Sequence, residues 1–415
     1  MSTRTGDRTG PTASLTALGA RATGAVRGWP WWLQVAALYI AARLVSACIF
    51  IAAARHQGPN PWFPPNPDYW NFINIWDARW YARIITNGYP STLPTDGAGN
   101  VQENGWAFYP LFPALGRGLA GLTGASPAAA LTVVAMVSGL GAALAVYCLF
   151  RHKAPHATAM WGTAFFATFP VSAILQVPYA EPLTIFLLAT TLLLVLRQHY
   201  LWAMPAVVLL CLSRPVGVPL AAMLGILLIA RAAHRVRTGA AGSHSVRELV
   251  SLAGLTAVCS AAALSWPVAA WISTGDIAAY TKTETVWRGQ DLVPFKPWFD
   301  TGVDLFGPVL GILAPFLFAG LFALLLFTKP VVRLGPELRL WCACYMGYLL
   351  LFLHPQTSTF RMLLPLFPLA LGAALVSRSR AFRGTVVVMF VLLQVVWIVW
   401  LWAWAQLPGG GDYPP

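Results

Sequence analysis

The stretch WWLQVAALYIAARLVSACIFIAA, residues 31–53, decides the fold class of this chain. It contains one charged residue, Arg43, and exceeds the roughly 20 apolar residues with which a helix crosses a bilayer. The polar leader before it is longer than that of an ordinary cleaved signal peptide. We therefore expect a permanent membrane anchor, preceded by a cytoplasmic N-terminal tail over residues 1–30.

Composition extends this expectation to the whole chain. Its 415 residues are 58% hydrophobic and only 10% charged, whereas a soluble domain carries about 25% charged residues. The sequence predicts an all-α polytopic membrane protein, a single integral unit over 31–405 with about 11 transmembrane helices. Besides 31–53, the predicted spans are 128–150, 157–176, 182–197, 200–212, 215–231, 249–272, 303–327, 339–353, 362–377 and 384–405.

The charges predict an orientation in the plasma membrane. With the N-terminus inside, 17 of the 27 Lys and Arg residues fall in cytoplasmic segments, as the positive-inside rule requires. The long loops 54–127 and 273–304 and the C-terminal tail 406–415 are then extracytoplasmic. These outer segments and the outer ends of the spans hold 11 of the 14 acidic residues. Because Asp and Glu contribute little to topology, we interpret this as a working surface on the outer face.

Two classes of partner are disfavoured. The net charge of +13 is distributed as topology signals and contacts to lipid headgroups, so we expect membrane lipids and no nucleic acid as partners. The six cysteines all lie in apolar runs, without a CxxC or Cys/His cluster. We therefore expect no zinc site and no disulfide framework. We also expect no other metal or cofactor; the metal part of this expectation follows from the family resemblance described below, because Asp77 is followed by Ala78 where some members carry two adjacent acids.

The first outer loop contains an unusual stretch, WDARWYARIITNGY at 76–89. Trp76, Trp80 and Ile84 recur every four residues, which predicts a short amphipathic helix at the membrane surface. Asp77 lies within this cluster of aromatic residues and arginines. Two interpretations of its carboxylate remain open: a general base, or a helix cap or surface ion pair.

Other polar residues mark the predicted outer ends of spans. Glu181 stands in PYAEP, where it either binds sugar hydroxyls or an arginine, or is simply favoured by the helix dipole. Arg214 in SRP and Arg361 in STFR have forks that suit phosphate oxygens, although a lone boundary arginine commonly snorkels to headgroups. Arg361 follows a polar segment that begins at His354. The loop 273–304, which holds Arg288, either covers the site or is a solvated connector.

Five segments in this order resemble the PIG-V-type mannosyltransferases, a bacterial branch of the GT-C glycosyltransferases. They are WDARWYARIITNGY at 76–89, FYPLFPALGRGLAGL at 108–122, PYAEPLTIFLLATTLLL at 178–194, LSRPVGVPLA at 212–221 and HPQTSTFRMLLPLFPLA at 354–370. The resemblance implies a GT-C-like helical bundle whose first outer loop carries interfacial helices. It also implies transfer of a sugar, typically mannose, from a polyprenyl phosphate with inversion at the anomeric carbon. The catalytic base of such enzymes is an acid in the first outer loop, a position that Asp77 occupies here.

Together these patterns predict an extracytoplasmic mannosyltransferase. Its donor is a polyprenyl-phosphate sugar, and its acceptor is a glycan, a lipid or a protein. Asp77 is the expected base, and the expected substrate-binding residues are Arg361, His354, Arg214, Glu181, Arg79, Tyr81 and Arg288. The alternative is a transporter or flippase of lipid-linked sugars, which is expected to carry charged residues near the bilayer midplane.

Overall fold

A computed structural model describes residues 28–239, 244–288, 293–407 and 414–415. Four ranges lie outside the described residues: 1–27, 240–243, 289–292 and 408–413. The first belongs to the predicted cytoplasmic tail and the last to the predicted C-terminal tail. The side chain of Arg288 also lies outside the described residues. Within these ranges regular structure is helical, apart from one isolated bridge between Thr95 and Val101.

Seventeen α-helices follow one another along the described residues. They are α1 (Trp31–Ala54), α2 (Tyr69–Ile73), α3 (Asp77–Asn87), α4 (Leu111–Thr123), α5 (Pro127–Lys153), α6 (His156–Thr168), α7 (Glu181–Leu196), α8 (Tyr200–Cys211), α9 (Gly217–Thr238), α10 (Val246–Thr274), α11 (Ala279–Arg288), α12 (Lys296–Leu326), α13 (Lys329–Val332), α14 (Pro336–Phe352), α15 (Thr359–Met362), α16 (Pro368–Val376) and α17 (Arg380–Val396). Short 3₁₀ turns lie at Gly105–Ala107, Ser172–Gln176 and Leu364–Leu366, and a π-helical turn, Trp397–Trp402, extends α17.

The helices confirm an all-α membrane protein. Six of the described helices are long and apolar enough to cross a bilayer: α1, α5, α9, α10, α12 and α17 with its π-helical turn. A seventh span is possible if Thr359–Leu366 and Pro368–Val376, bent by 73°, count as one. Every one of the eleven predicted segments contains helix, but some are short; α8, for example, has 12 residues. The predicted count of eleven spans is therefore not confirmed.

Helix α5 lies at the centre of the bundle, packed against α1, α4, α6 and α7. Close approach is possible because Gly139 has no side chain: a Cβ there would lie 2.1 Å from the Tyr39 hydroxyl and 2.6 Å from the Leu175 carbonyl oxygen. The Tyr39 hydroxyl donates to that carbonyl over 3.0 Å. Small residues at helix contacts let backbones approach in membrane proteins generally. This contact ties α1, α5 and the 3₁₀ turn at 172–176 together.

Segments 55–126, 275–288 and 353–358 lie at one end of the bundle, called the loop end below. Two of these segments pack on each other, since the Asn104 side-chain amide donates to the Thr283 hydroxyl of α11 over 3.0 Å. The first loop also contacts α10, where the Trp266 indole N–H donates to the Trp106 carbonyl over 3.0 Å. Helix α3 packs against α4 and α5 and buries Ile84. The helix begins at Asp77, so Trp76 precedes it and does not share its face as the four-residue spacing predicted.

Arg43, the charged residue inside the first span, has a structural explanation. Its guanidinium donates to the carbonyls of Ala167 and Ser172 and to the Ser172 hydroxyl. These carbonyls lie where α6 ends and the 3₁₀ turn at 172–176 begins. The Ala167 carbonyl lies in the last turn of α6, where carbonyls lack an intrahelical donor, and it accepts from both Arg43 and the Ser172 hydroxyl. Arg43 thereby links α1 to the end of α6 and to the turn that follows it.

We predict that Arg43→Met destabilises the protein, because it removes the hydrogen bonds from Arg43 to Ala167 and Ser172, each of which contributes about 0.5–1.5 kcal/mol. The melting temperature of the purified protein in detergent should fall clearly below that of the wild type. Arg55→Met is the matched control, since Arg55 follows the same helix and is exposed. Equal melting temperatures for the two variants would show that the Arg43 contacts do not stabilise the bundle.

Candidate active site

The backbone around Asp77 is fixed by two tryptophans. Trp76 has φ 56° and ψ −126°, a region that residues other than glycine rarely adopt and that the surroundings must hold. Its indole N–H donates to the Trp402 carbonyl over 2.9 Å, and the Trp402 indole N–H donates to the Phe72 carbonyl over 2.9 Å. The chain therefore turns sharply at Trp76, and Asp77 becomes the first residue of α3.

Asp77 is also held from the neighbouring segment. Its backbone N–H, which the first turn of a helix leaves free, donates to the Tyr179 hydroxyl over 3.2 Å. Burial is the main reason that the pKa of Tyr179 is raised well above its usual value, so this phenol stays neutral. A carboxylate at the N-terminus of a helix is favoured by the helix dipole.

The carboxylate of Asp77 belongs to a buried ion cluster. Asp77 Oδ2 lies 2.5 Å from Arg361 Nη1, which in turn lies 3.1 Å from Glu181 Oε1. Arg214 Nη1 lies 2.6 Å from the same Glu181 oxygen. The side chains of Asp77, Glu181, Arg214 and Arg361 are only 6–16% exposed. The two carboxylates thus neutralise the two guanidinium groups. Their mutual attraction offsets the free-energy cost of removing each charge from water.

The cluster still has unused hydrogen-bonding capacity. Among the residues that the structure describes, Glu181 Oε2 and Arg361 Nε are buried without a hydrogen-bond partner, although buried polar atoms are normally paired. The Arg361 guanidinium lies over the Tyr179 ring, 5.4 Å from its centroid. Arg214 Nη2 contacts the Met362 sulfur at 3.2 Å, a weak acceptor. Each guanidinium group therefore has at least one N–H group that makes no strong hydrogen bond and can donate to an anionic ligand.

Asp77, Arg214 and Arg361 line one cavity of about 380 Å³ at the loop end, called the first cavity below. Tyr81 and His354, two further predicted residues, also line it. The rest of its wall is formed by Glu103, Ala107, Phe108, Tyr109, Ser213, Pro215, Val216, Glu284, Trp287, Tyr345, Tyr348, Leu349, Phe352, Leu353, Gln356, Ser358, Met362 and Pro414. One cavity thus brings together five of the residues that the sequence predicted as site residues.

The other predicted residues have different places. Glu181 does not line the first cavity but holds Arg214 and Arg361, and it lines a smaller pocket beside the same two arginines. Arg79 is exposed and lines another cavity, which also includes Asp77. The side chain of Arg288 lies outside the described residues.

The geometry also decides among the alternatives that the sequence left open. Arg214 and Arg361 do not extend to headgroups; they pair with the buried Glu181. The partner of Asp77 is a buried arginine far along the chain, so its ion pair is not one on a helix surface. Tyr81 packs edge-on against Phe108 at 5.1 Å between ring centroids, and burial raises its pKa. Its hydroxyl therefore stays protonated.

Several cavity residues carry no sequence signal of their own. Tyr345 and Tyr348 lie one turn apart in an apolar run that predicts nothing but a span. Glu103 lies in a polar part of the first loop without a motif. The excess of acidic residues in the predicted outer segments indicates a functional face of the protein, but it does not single out Glu103 among them.

A metal site is not built by the part of the chain that the structure describes: no three His, Cys, Asp or Glu side chains converge there. The metal independence expected from the sequence stays a prediction.

The chain was compared with known proteins. No protein-family model matches it, and no curated protein matches it. Structures of the oligosaccharyltransferase AglB from Archaeoglobus fulgidus share a low overall similarity. The apo form gives a TM-score of 0.46 at 13% identity, covering 90% of this chain and 56% of that chain. The complex with an inhibitory peptide and a dolichol-phosphate gives 0.44 at 14% identity, covering 87% and 55%. The chain thus spans about half the length of these enzymes.

We predict that Glu181→Gln destabilises the protein, because it leaves two buried arginines with a single carboxylate. Breaking a buried ion pair costs about 3–5 kcal/mol, whereas an exposed pair contributes about 0–1 kcal/mol. The matched control is Asp300→Asn, which breaks the more exposed pair with Lys296. Thermal unfolding in detergent should show a much larger decrease for Glu181→Gln. A decrease no larger than that of the control would contradict the balance of charges described here.

Proposed function

We propose that this protein is an inverting glycosyltransferase of the plasma membrane. It moves a sugar, mannose in our proposal, from a polyprenyl phosphate to an acceptor on the extracytoplasmic side. The observation that carries the proposal is that a carboxylate, Asp77, and two arginines, Arg214 and Arg361, line one cavity at the loop end. A base and a pair of phosphate-binding cations are what this transfer needs.

Asp77 is the proposed base. It accepts the proton of the acceptor hydroxyl as the hydroxyl oxygen attacks the anomeric carbon. The bond between that carbon and the phosphate oxygen breaks, and the bonding electrons leave with the polyprenyl phosphate. Attack from the face opposite the leaving group inverts the configuration of the anomeric carbon.

Arg361 can contact both the donor phosphate and the base Asp77. In the structure its Nη1 atom is shared between Asp77 and Glu181. A donor phosphate in the first cavity competes for the same guanidinium with charge-assisted hydrogen bonds. When Arg361 turns toward the phosphate, Asp77 Oδ2 is released from its ion pair and can accept the proton of the acceptor hydroxyl. Donor binding and activation of the base are thereby coupled.

The first cavity also has a place for the donor lipid. Its wall on α14 is formed by Tyr345, Tyr348, Leu349 and Phe352, on a helix that lies within one of the predicted spans. This apolar wall suits the first isoprene units of the donor, while Arg214 and His354 contact the phosphate. We propose mannose as the sugar because the five quoted segments resemble the PIG-V-type mannosyltransferases.

The transporter alternative finds less support. Such a protein needs charged groups that face a pathway near the bilayer midplane. Arg43, the charged residue that the sequence places inside an apolar run, instead donates to backbone carbonyls. The cluster of Asp77, Glu181, Arg214 and Arg361 lies at the loop end, and a second cluster, of Lys153, Arg231, Glu248 and Glu337, lies at the opposite end of the bundle. Neither cluster lies midway between the two ends, which favours chemistry at one face of the membrane over passage through it.

We predict that Asp77→Asn abolishes transfer, since loss of a general base lowers turnover by about 10²–10⁴-fold. The assay uses purified protein in nanodiscs, labelled polyprenyl-phosphate mannose and a membrane lipid extract. Asp96→Asn is the matched control, because Asp96 lies in the same loop but outside the lining of the described cavities. Turnover of a folded Asp77→Asn protein within a few-fold of the wild type would remove Asp77 from the mechanism.

A second prediction concerns the donor phosphate. Arg361→Lys keeps the charge but loses the planar fork, so the KM for the donor should rise about tenfold or more. Arg214→Lys should act in the same direction. The comparison variant is Arg55→Lys, at an exposed position of the first loop. An unchanged donor KM in both cavity variants would exclude these arginines as phosphate ligands.

A further inference from the structure

A further cavity, of about 400 Å³, lies at the end of the bundle opposite the loop end and is called the basic cavity below. Its wall consists of Trp31, Tyr147, Cys148, Arg151, His152 and Arg197. They belong to the start of α1, to the end of α5 and to the residue that follows α7. Helices α1 and α5 are both long and apolar enough to cross a bilayer. The basic cavity therefore lies at the depth where spanning helices meet the lipid headgroups.

Positive charge in the basic cavity is not balanced by an acid. Two guanidinium groups and one imidazole belong to its wall, and no carboxylate does. Among the described residues, neither Arg151 nor Arg197 forms an ion pair; Arg151 Nη1 donates only to the Ala154 carbonyl, over 3.1 Å. At this end of the bundle, Glu248 and Glu337 are already paired with Arg231. An external anion can therefore balance the charge of the cavity.

The donors of the basic cavity suit phosphate oxygens. Arg151, His152 and Arg197 are exposed, so their side chains can turn toward a ligand. A guanidinium fork binds two phosphate oxygens at once, and such charge-assisted bonds are stronger than neutral ones. A lone boundary arginine extends to whichever headgroup is near. Here two arginines share one concave wall, which gives a phosphate a defined place.

The aromatic side of the basic cavity is held in place. Trp31 stacks on Tyr147, with 5.3 Å between ring centroids and 12° between ring planes. The Tyr147 hydroxyl lies 2.7 Å from His156 Nδ1, and His156 Nε2 lies 3.3 Å from Gln34 Oε1. These bonds join α1, α5 and α6. The cavity thus has a fixed apolar wall beside its movable cationic groups.

The surroundings favour a lipid over a soluble phosphate ester. Trp29 and Trp32, on either side of Trp31, are also exposed, as in the tryptophan belts of membrane interfaces. Further along α1, Ile40 and Leu44 are exposed apolar residues. A phospholipid can therefore place its phosphate at the arginines and its acyl chains along an apolar helix surface, whereas a soluble ester uses only the first of these contacts.

We propose that the basic cavity binds the anionic headgroup of a phospholipid from the adjacent leaflet, which is the cytoplasmic leaflet in the predicted orientation. Arg151 and Arg197 donate to the phosphate oxygens, and His152 donates to the rest of the headgroup. The glycerol backbone packs against Trp31. A zwitterionic headgroup is disfavoured, because its own cation meets these basic groups. The site is separate from the proposed glycosyl transfer, since none of its residues lines the first cavity.

The test measures lipid binding to the purified full chain in detergent by native mass spectrometry. The probes are short-chain phosphatidylglycerol, short-chain phosphatidylcholine and glycerol 3-phosphate, which has the phosphate but no chains. Phosphatidylglycerol should bind most tightly, and Arg151→Gln/Arg197→Gln should raise its Kd about tenfold or more. Arg151→Lys/Arg197→Lys keeps both charges but loses the forks, so it should give a smaller rise in Kd.

The matched control is Arg378→Gln/Arg380→Gln. It removes the same charge from two exposed arginines where α17 begins, at the same end of the bundle, and neither residue lines the basic cavity. Its Kd for phosphatidylglycerol should stay within about twofold of the wild type, as expected for surface charges outside the site. Thermal unfolding establishes that each variant is folded.

Three results would overturn the proposal. Equal binding of phosphatidylglycerol and phosphatidylcholine would show that the cavity does not select an anionic headgroup. Glycerol 3-phosphate bound as tightly as phosphatidylglycerol would identify a site for soluble phosphate esters instead. An equal rise in Kd for the cavity variant and its control would show that binding depends on net charge and not on this cavity. None of these results bears on transfer at Asp77, which the separate assay of Asp77→Asn tests.

Discussion

The arrangement of the loop end depends on one guanidinium group, that of Arg361. It lies between the carboxylates of Asp77 and Glu181, and Glu181 in turn holds Arg214. These four residues come from four separate parts of the chain, and none of the charges is stable at this depth without its partners. The first loop, the start of α7, the turn before α9 and the short helix α15 must therefore converge. The cavity is a consequence of that convergence.

The aromatic residues around this cluster hold the backbone, while the charges hold one another. The side chains of Trp76 and Trp402 are uncharged, and their indole N–H groups fix the turn that precedes Asp77 by hydrogen bonds to backbone carbonyls. Hydrogen bonds from indoles to carbonyls suit such a place, because they combine a large buried surface with one directional bond. The result is a carboxylate whose backbone is firmly held and whose charge is paired with Arg361.

The sequence predicts the helical class well, because apolar runs of bilayer length leave few alternatives. Five of the residues that it singles out, Asp77, Tyr81, Arg214, His354 and Arg361, line the first cavity, and their roles stay predictions. It does not predict that Glu181 joins Arg214 to Arg361, because pairing between distant segments depends on how the helices pack. Tyr345 and Tyr348 are missed for a related reason: on an apolar helix the cavity-facing residues do not differ from the lipid-facing ones. The span count of eleven came from hydropathy alone, which does not separate crossing helices from short ones packed inside the bundle.

The hydrogen bond between Trp76 and Trp402 also affects when during synthesis the turn at Trp76 can form. The two residues are 326 positions apart, and membrane proteins are made and inserted from the N-terminus onward. During synthesis the first loop emerges long before the helix whose end will fix it. Until α17 has been inserted, the strained turn at Trp76 lacks its hydrogen bond to the Trp402 carbonyl, whereas the bond from the Asp77 N–H to the Tyr179 hydroxyl can already form. The segment that completes the surroundings of Asp77 is therefore among the last parts of the chain to be made.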